Sequence, residues 1–392
     1  MKIRLLFIPH AMPSHIIPLV ALAKMLDTQL FDLAFLLPTN HHPLVKSLGF
    51  TVLNIDRQQG GLSVENKAIE LFDPHIVVDD LSFTTAFSTR LRKIPRISIV
   101  RKGIIPLEAH SPEFRHSSNI DEHFNKVYKT ASAESFWTPG SPAELFIGDV
   151  NIIPSIPSIE TLPSTIENKD TYHYAGPLLL DDVALMKGLD LQIGGTRYAD
   201  NREKVMQFLD NNAGRKIVFF TQGLTDIGEI TTRAQTALQL LLNKGLAIIT
   251  NIGKFNFDSP HFFSDTFLPM HMICEKCDFM IHHCGSGTYN YQLLYELPAI
   301  ILGSNCYDRD EVAMKLQEQG AAHYFPANFE KAAFYRDFNK IVDLLIDAES
   351  SFYQAQKQSL HTLNSEITHT REAFDFCAIA TQLYYKFYPT YV

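Results

Sequence analysis

No stretch of this 392-residue sequence strings together the ~18 uninterrupted apolar residues that a membrane-crossing helix needs, so no transmembrane segment is expected. Cysteine is scarce: five residues, an odd number, all after residue 270. That excludes a disulfide framework and favours a reducing, cytoplasmic location. Positive charge is short too. Thirty-four Lys and Arg stand against 43 Asp and Glu, for a net charge of −9, and no basic run offers a local exception. A nucleic-acid surface is therefore not expected. A small anion stays open as a ligand, because the start of a single helix can hold a phosphate. Internal repeats and low-complexity tracts are missing. The opening "MKIRLLFIPHAMPSHIIPLVALAKML" imitates a secretory leader, but Pro9, His10, Pro13, Ser14 and His15 cut its apolar run short.

What is present is globular: 46% hydrophobic and 20% charged residues, in a chain too long for one ordinary core. The 28 Phe and 15 Tyr belong mostly to that core, with some left to line an apolar pocket. The first half alternates strand and helix patterns. "IRLLFIP" (3–9), "LAFLLP" (33–38), "TVLNI" (51–55), "IVVDD" (76–80) and "RISIV" (96–100) read as strands. Ile16, Leu19, Val20, Ala23 and Leu26 share one face of a helix over 15–26. A second series follows, with strands at 216–222, 246–250, 279–283 and 299–302 and helices near 230–243, 288–296, 308–319 and 331–347. Alternation of this kind predicts parallel sheets with right-handed crossovers. The expected fold class is α/β: two Rossmann-like, doubly wound domains facing across a cleft at their strands' carboxyl ends. The expected boundaries are 1–180, a linker at 181–200, 201–368, and a helical tail at 369–392 packing back on the first domain. The stretch 101–145, with Phe114, Phe124, Phe136 and Trp137, reads as irregular packing or as an apolar ligand wall.

Three places carry chemistry. In "IHHCGSGTYNYQLLYELPAIIL" (281–302) a strand breaks into Cys284-Gly285-Ser286-Gly287-Thr288 and then into a helix. Unpaired N–H groups at a helix start, two glycines, two hydroxyls and the His283 ring suit an anion such as a diphosphate. A tight packing turn is the plain alternative. Cys274, Cys277, His282, His283 and Cys284 have the residue types of a zinc site. Adjacent histidines on a strand point to opposite faces, however, which favours buried, non-ligating cysteines. His15 follows the first strand and can serve as a general base. Asp80, or its neighbour Asp79, ends another strand where a carboxylate can orient His15, or cap a helix.

Together these segments resemble the GT-B glycosyltransferases that use nucleotide sugars, the inverting enzymes acting on natural products and xenobiotics. "SHIIPLVALA" is similar to their G-H-x-x-P-x-x-x-L-A segment. "HHCGSGTYNYQLLYELPAIIL" is similar to H-H-G-G-x-G-T-x-x-E-A-L-x-x-G-V-P, and "YDRDEVAMKLQEQGAA" to the D-Q run that follows it. "YAGPLL" and "FLPM" fall at the places of two further family segments. The resemblance implies that His15 deprotonates an acceptor hydroxyl and that Asp80 supports it. It implies that His283, Gly285, Ser286, Gly287 and Thr288 hold the donor diphosphate, with Gly223 in the donor-base segment. Asp308 and Arg309 would stand near the sugar, and Tyr291 where many members carry a ribose-gripping Glu.

The implied reaction moves a hexose or deoxyhexose from a UDP- or dTDP-sugar to a hydroxyl of a small apolar or aromatic acceptor, with inversion. It needs no cofactor and no obligatory metal, in a monomer or homodimer. The sequence departs from the pattern at Ser14, Cys284, Tyr291 and Arg309. The alternatives are an inactive GT-B-like partner that activates another enzyme, and a sugar-nucleotide epimerase. The presence of His15 argues against the first and the aromatic 101–140 region against the second.

Overall fold

The computed structural model describes residues 2–55, 61–82, 84–101, 137, 142–164, 166, 168–181, 192–193, 196–222, 228–252, 255, 257–265, 268–328 and 330–389. The chain divides into two compact units. Unit 1 is Met1–Leu180 with Thr368–Val392, and unit 2 is Asp181–Ile367.

Unit 1 is built on seven strands: β1 (Ile3–Pro9), β2 (Phe31–Phe35), β3 (Thr51–Val52), β4 (Ile76–Asp80), β5 (Arg96–Ile99), β6 (Val150–Ile153) and β7 (Tyr172–Tyr174). Their order is β3-β2-β1-β4-β5-β6-β7, and every pairing is parallel. Helices α1 (Pro13–Lys24), α2 (His42–Ser47), α3 (Leu62–Phe72) and α4 (Thr85–Arg92) make connections between the first five strands. Leu5, Leu6, Phe7 and Ile8 of β1 are wholly buried, which is why that strand reads as an unbroken apolar run rather than an alternating one. Pro13 opens α1 at a position whose N–H would lack a helical partner anyway. The second strand lies two residues earlier than its sequence pattern predicts; Leu36 and Leu37 extend the apolar run while buried beyond the ladder.

Unit 2 begins with a short antiparallel pair, β8 (Gln192–Ile193) and β9 (Thr196–Arg197), and helix α5 (Tyr198–Asn211). Its main sheet holds β10 (Ile217–Phe220), β11 (Ala247–Thr250), β12 (Phe262–Ser264), β13 (Phe279–His282), β14 (Ala299–Leu302) and β15 (Ala322–Phe325). The order is β12-β11-β10-β13-β14-β15, again wholly parallel. Counted along each sheet's own strands, both units run 3-2-1-4-5-6, and unit 1 adds a seventh. The helices of this unit are α6 (Gly228–Asn243), α7 (Met270–Cys274), α8 (Ser286–Leu294), α9 (Tyr307–Glu318) and α10 (Lys331–Ile346). Phe220, Phe279, Phe325, Phe334 and Phe338 form the aromatic centre of its core. Glu330 caps α10 by accepting from the backbone N–H groups of Ala332 and Ala333 at 2.9 and 2.7 Å.

The helical tail is two helices, α11 (Ser351–Ala373) and α12 (Phe376–Phe387), separated where Asp375 caps the second through Ala378 N–H at 2.9 Å. No helix among the described residues is long and apolar enough to cross a membrane.

Candidate functional site

In a doubly wound sheet, ligands collect at the carboxyl ends of the two central strands, where the order reverses and the flanking loops splay apart. In unit 1 those strands are β1 and β4. Their register sets Pro9 opposite Asp80, and His10 N–H donates to the Asp80 carbonyl at 2.8 Å. The first turn of α1 then returns His15 to the same point. Its Nδ1 lies 2.8 Å from Asp80 Oδ1. The Asp80 carboxylate is wholly buried and takes two further bonds, from Arg101 Nη1 to Oδ1 at 2.9 Å and from Nη2 to Oδ2 at 3.2 Å. Burial pushes this carboxyl upward, but the Arg101 charge, the His15 ring and the bonds from both outweigh it and hold it at about 2. An ionised carboxylate only accepts, so Nδ1 of His15 carries the hydrogen of that bond, and Nε2 is the ring nitrogen outside it.

Asp79 points the other way, as the strand alternation requires. It accepts from Ser98 Oγ at 2.6 Å and faces Arg96 at 3.6 Å. Burial pushes it up to about 6 against the pull of Arg96. Of the two aspartates, Asp80 is thus the one joined to His15.

Arg101 escaped the sequence reading. It follows a strand that gave no functional signal, and only the fold brings it to Asp80. Glu65 escaped it as well. This buried side chain on α3 collects hydroxyls from the turn after β4 and the start of α4: Ser82, Thr84 and Thr85 on Oε1 at 3.0, 2.6 and 3.3 Å, and Ser88 on Oε2 at 3.0 Å. The signal available was the run of Ser and Thr at 82–89, which reads as ordinary turn and helix-start chemistry.

In unit 2 the central strands are β10 and β13. Thr221 N–H bonds the Ile281 carbonyl at 2.8 Å, which sets Thr221 and Gln222 beside His283. The two histidines do diverge. His282 Nδ1 accepts from Cys284 N–H at 3.0 Å, so its Nε2 carries the hydrogen, 3.0 Å from Gln292 Oε1. Burial lowers it to about 4. With both nitrogens engaged, this ring has no lone pair for a metal. Cys274, Cys277 and Cys284 are buried, and no group of three or more His, Cys, Asp or Glu among the described residues is placed to hold a metal ion.

His283 is buried, and its Nδ1 has no hydrogen-bond partner among the described residues. Burial, the Arg309 charge and His282 lower it to about 3, although the Thr221 backbone bonds the ring. The ring sits close to Gly285, where an added Cβ would come 2.9 Å from Nε2 and 3.2 Å from Cε1. Ser286, Gly287 and Thr288 open α8; Thr288 N–H bonds the Gly285 carbonyl at 2.8 Å, and the N–H groups of Ser286 and Gly287 come before the first helical acceptor. Cys284 has φ +62, the left-handed region that a glycine enters freely. Asp308 opens α9 and accepts from Cys306 Sγ at 2.9 Å; burial and that carboxylate push the thiol up to about 12. Tyr291 is buried, edge-on to His271 at 4.9 Å and stacked on Tyr295 at 6.4 Å. Gly223, and all of 101–140 except Arg101 and Trp137, lie outside the described residues.

The arrangement matches known structures along nearly its whole length. The spinosyn forosaminyltransferase SpnP superposes with a TM-score of 0.69 at 17% identity, over 99% of this chain and 100% of that one. The chain has the GT-B fold. The glycosyltransferase VinC, solved in complex with dTDP, gives 0.64 at 14% identity, over 98% of this chain and 100% of its own. The spinosyn rhamnosyltransferase SpnG, complexed with thymidine diphosphate, gives 0.65 at 13% identity, over 97% and 100%. By sequence, a 10-deoxymethynolide desosaminyltransferase of Streptomyces venezuelae is 35% identical over 60 residues, 15% of this chain and 14% of that protein. No family model matches the chain. The structural neighbours of this GT-B chain are thus glycosyltransferases of natural-product pathways.

Proposed function

We propose that the protein transfers a hexose or deoxyhexose from a dTDP- or UDP-sugar to a hydroxyl of a small, mainly apolar acceptor, with inversion at the anomeric carbon. The observation that carries this reading is the buried His15–Asp80 pair at the end of β1 and β4. His15 Nε2 takes the acceptor's proton as its oxygen bonds the anomeric carbon. The bond from that carbon to the diphosphate oxygen breaks in the same displacement, and the nucleoside diphosphate leaves with the electron pair. Asp80 holds the ring in the productive tautomer and stabilises the imidazolium that forms. On unit 2, the N–H groups at the start of α8, the Ser286 and Thr288 hydroxyls and His283 meet the diphosphate's charge without an obligatory metal. Gly285 and Gly287 let the backbone approach it. Asp308 and Arg309 stand for the sugar side, and Gly223 for the base. The natural-product neighbours solved with dTDP support a thymidine donor, and the five cysteines, too few and odd in number for a disulfide framework, support the cytoplasm as its place of work.

The test is a panel of dTDP- and UDP-sugars scored by thermal shift, then by release of free sugar and by mass-detected transfer to a hydroxylated polyketide library. His15→Ala is expected to cost about 10²–10⁴ in turnover, the scale of a lost general base, with donor affinity unchanged. Near-full turnover in that variant removes His15 from the reaction. A panel in which no donor binds removes the function.

A further inference from the structure

We infer that Arg101 is a positioning residue that sets the charge of the His15–Asp80 pair, keeping His15 an unprotonated base at rest. The inference rests on the proposed role of His15 and on geometry. Arg101 and His15 share one acceptor, Asp80 Oδ1, at 2.9 and 2.8 Å, and the guanidinium adds a second bond to Oδ2 at 3.2 Å. All three side chains are buried. Two bonds to one oxygen bring the guanidinium within about 6 Å of the imidazole, close enough for an unscreened positive charge to bear on it.

The consequence follows from counting charges. A buried aspartate paired with histidine alone favours the imidazolium, because protonation makes the pair neutral. A base held that way already carries the proton it is meant to take. Arg101 is always charged, so its positive charge offsets the pull of the Asp80 carboxylate and opposes a second positive charge on His15. The fork also fixes the carboxylate's rotation, so that Oδ1 stays on the His15 side.

Among the described residues of this unit, the other titratable groups near His15 are placed as follows. His10, at the end of β1, stands edge-on to His15 with ring centroids 5.4 Å apart. His41 is turned to the carbonyl of Ala11 at 3.1 Å, and His42 to that of Leu37 at 3.0 Å. Asp79 faces Ser98 and Arg96 on the opposite side of β4, and Glu65 faces the hydroxyls of 82–88.

Two readouts test this: the ring NMR titration of His15, assigned with His15→Gln, and the pH profile of kcat. In Arg101→Gln both the titration and the acid limb are expected to move up by about one to two pH units. Turnover on the acid side would then fall about tenfold to a hundredfold and recover at alkaline pH. Arg101→Lys, which keeps the charge and loses the fork, is expected to return most of that shift. Asp80→Asn, with Arg101 retained, is expected to move the titration down. A kcat lowered equally at every pH with an unmoved titration overturns the inference and leaves Arg101 a structural support. If Arg101→Gln fails to fold by circular dichroism, Asp80→Asn decides, and an unmoved or raised titration there overturns it. The titration needs no substrate, so a protein that transfers no sugar yet shows these shifts loses the proposed function alone.

Discussion

Glu65 makes a quantitative prediction. Removing its carboxylate by Glu65→Ala leaves the hydroxyls of Ser82, Thr84 and Thr85 without their Oε1 acceptor in a buried site. An unsatisfied buried hydroxyl costs about 1–3 kcal/mol. Some can turn elsewhere, as Ser88 can toward the Thr85 carbonyl at 3.1 Å, so the expected cost is about 3–5 kcal/mol rather than a full sum. Glu65→Gln behaves differently. Its amide oxygen can replace Oε1 for the three hydroxyls while its NH₂ faces Ser88, which accepts from it and donates to Thr85. The loss is then the difference between charged and neutral hydrogen bonds, about 1 kcal/mol. The assay is urea unfolding followed by tryptophan fluorescence. The chain's one tryptophan, Trp137, stands edge-on to Phe87 at 5.1 Å and under Arg90 at 4.8 Å, both on α4, the helix whose first turn Glu65 holds. The Ala variant is expected to lower the midpoint by roughly 1–2 M, and the Gln variant by under about 0.5 M. Equal losses in the two variants, or none in Ala, refute the reasoning.

Gly285→Ala puts a Cβ 2.9 Å from His283 Nε2, whereas a Cβ at Gly287 meets nothing within 4 Å. Nucleotide affinity by calorimetry is expected to fall roughly tenfold in the first, the worth of one charge-assisted bond, and the His283 ring signal should move only in the first. Tyr291→Glu buries a carboxylate against His271 and Tyr295, so it is expected to lower Tm while leaving the ratio of UDP to dTDP affinity unchanged. A changed ratio puts Tyr291 on the ribose after all. His282 and His283 stay neutral down to about 4 and about 3, while unfolded histidines protonate near 6.5. Unfolding takes up protons in that window, so the stability of unit 2 falls as pH falls, by about 1.4 kcal/mol per pH unit for each ring. Fewer than about one proton taken up on unfolding at pH 5 contradicts this.

The fold was legible wherever a strand is buried on both faces and long enough to be seen as a run. β1, β4, β10, β13 and β14 announce themselves in this way. The missed strands are short or disguised. β6 is read as loop because Pro154 and a Ser- and Pro-rich stretch follow it, and β7, β12 and β15 carry half-exposed residues that break the pattern. His15 and Asp80 were legible because His15 stands in the first turn of the helix that follows β1 and Asp80 is the last residue of β4. The choice between Asp79 and Asp80 was not, since it depends on which face of β4 looks toward α1. Tyr291 illustrates the same limit: its place in a motif is a matter of spacing, while its neighbours come from α7 and from Tyr295, the residue that caps the end of α8. Cys284 is the reverse case. Its departure from a glycine motif was visible, and its positive φ gives the reason a glycine suits that position.

Unit 1 is assembled from two pieces of chain separated by the whole of unit 2. The closing piece is stitched in by Arg371 on the Pro177 carbonyl at 2.8 Å and by the Tyr388 hydroxyl on that of His75 at 3.2 Å. A ribosome making this protein releases the first 180 residues early, but their last structural partners arrive only after more than three hundred and fifty residues have been translated. The nascent N-terminal unit holds all seven of its strands by then, but must wait for its closing helices while an entire second unit emerges and folds. A tag or truncation at the far carboxyl end acts, in consequence, on the half of the molecule that begins with residue 1.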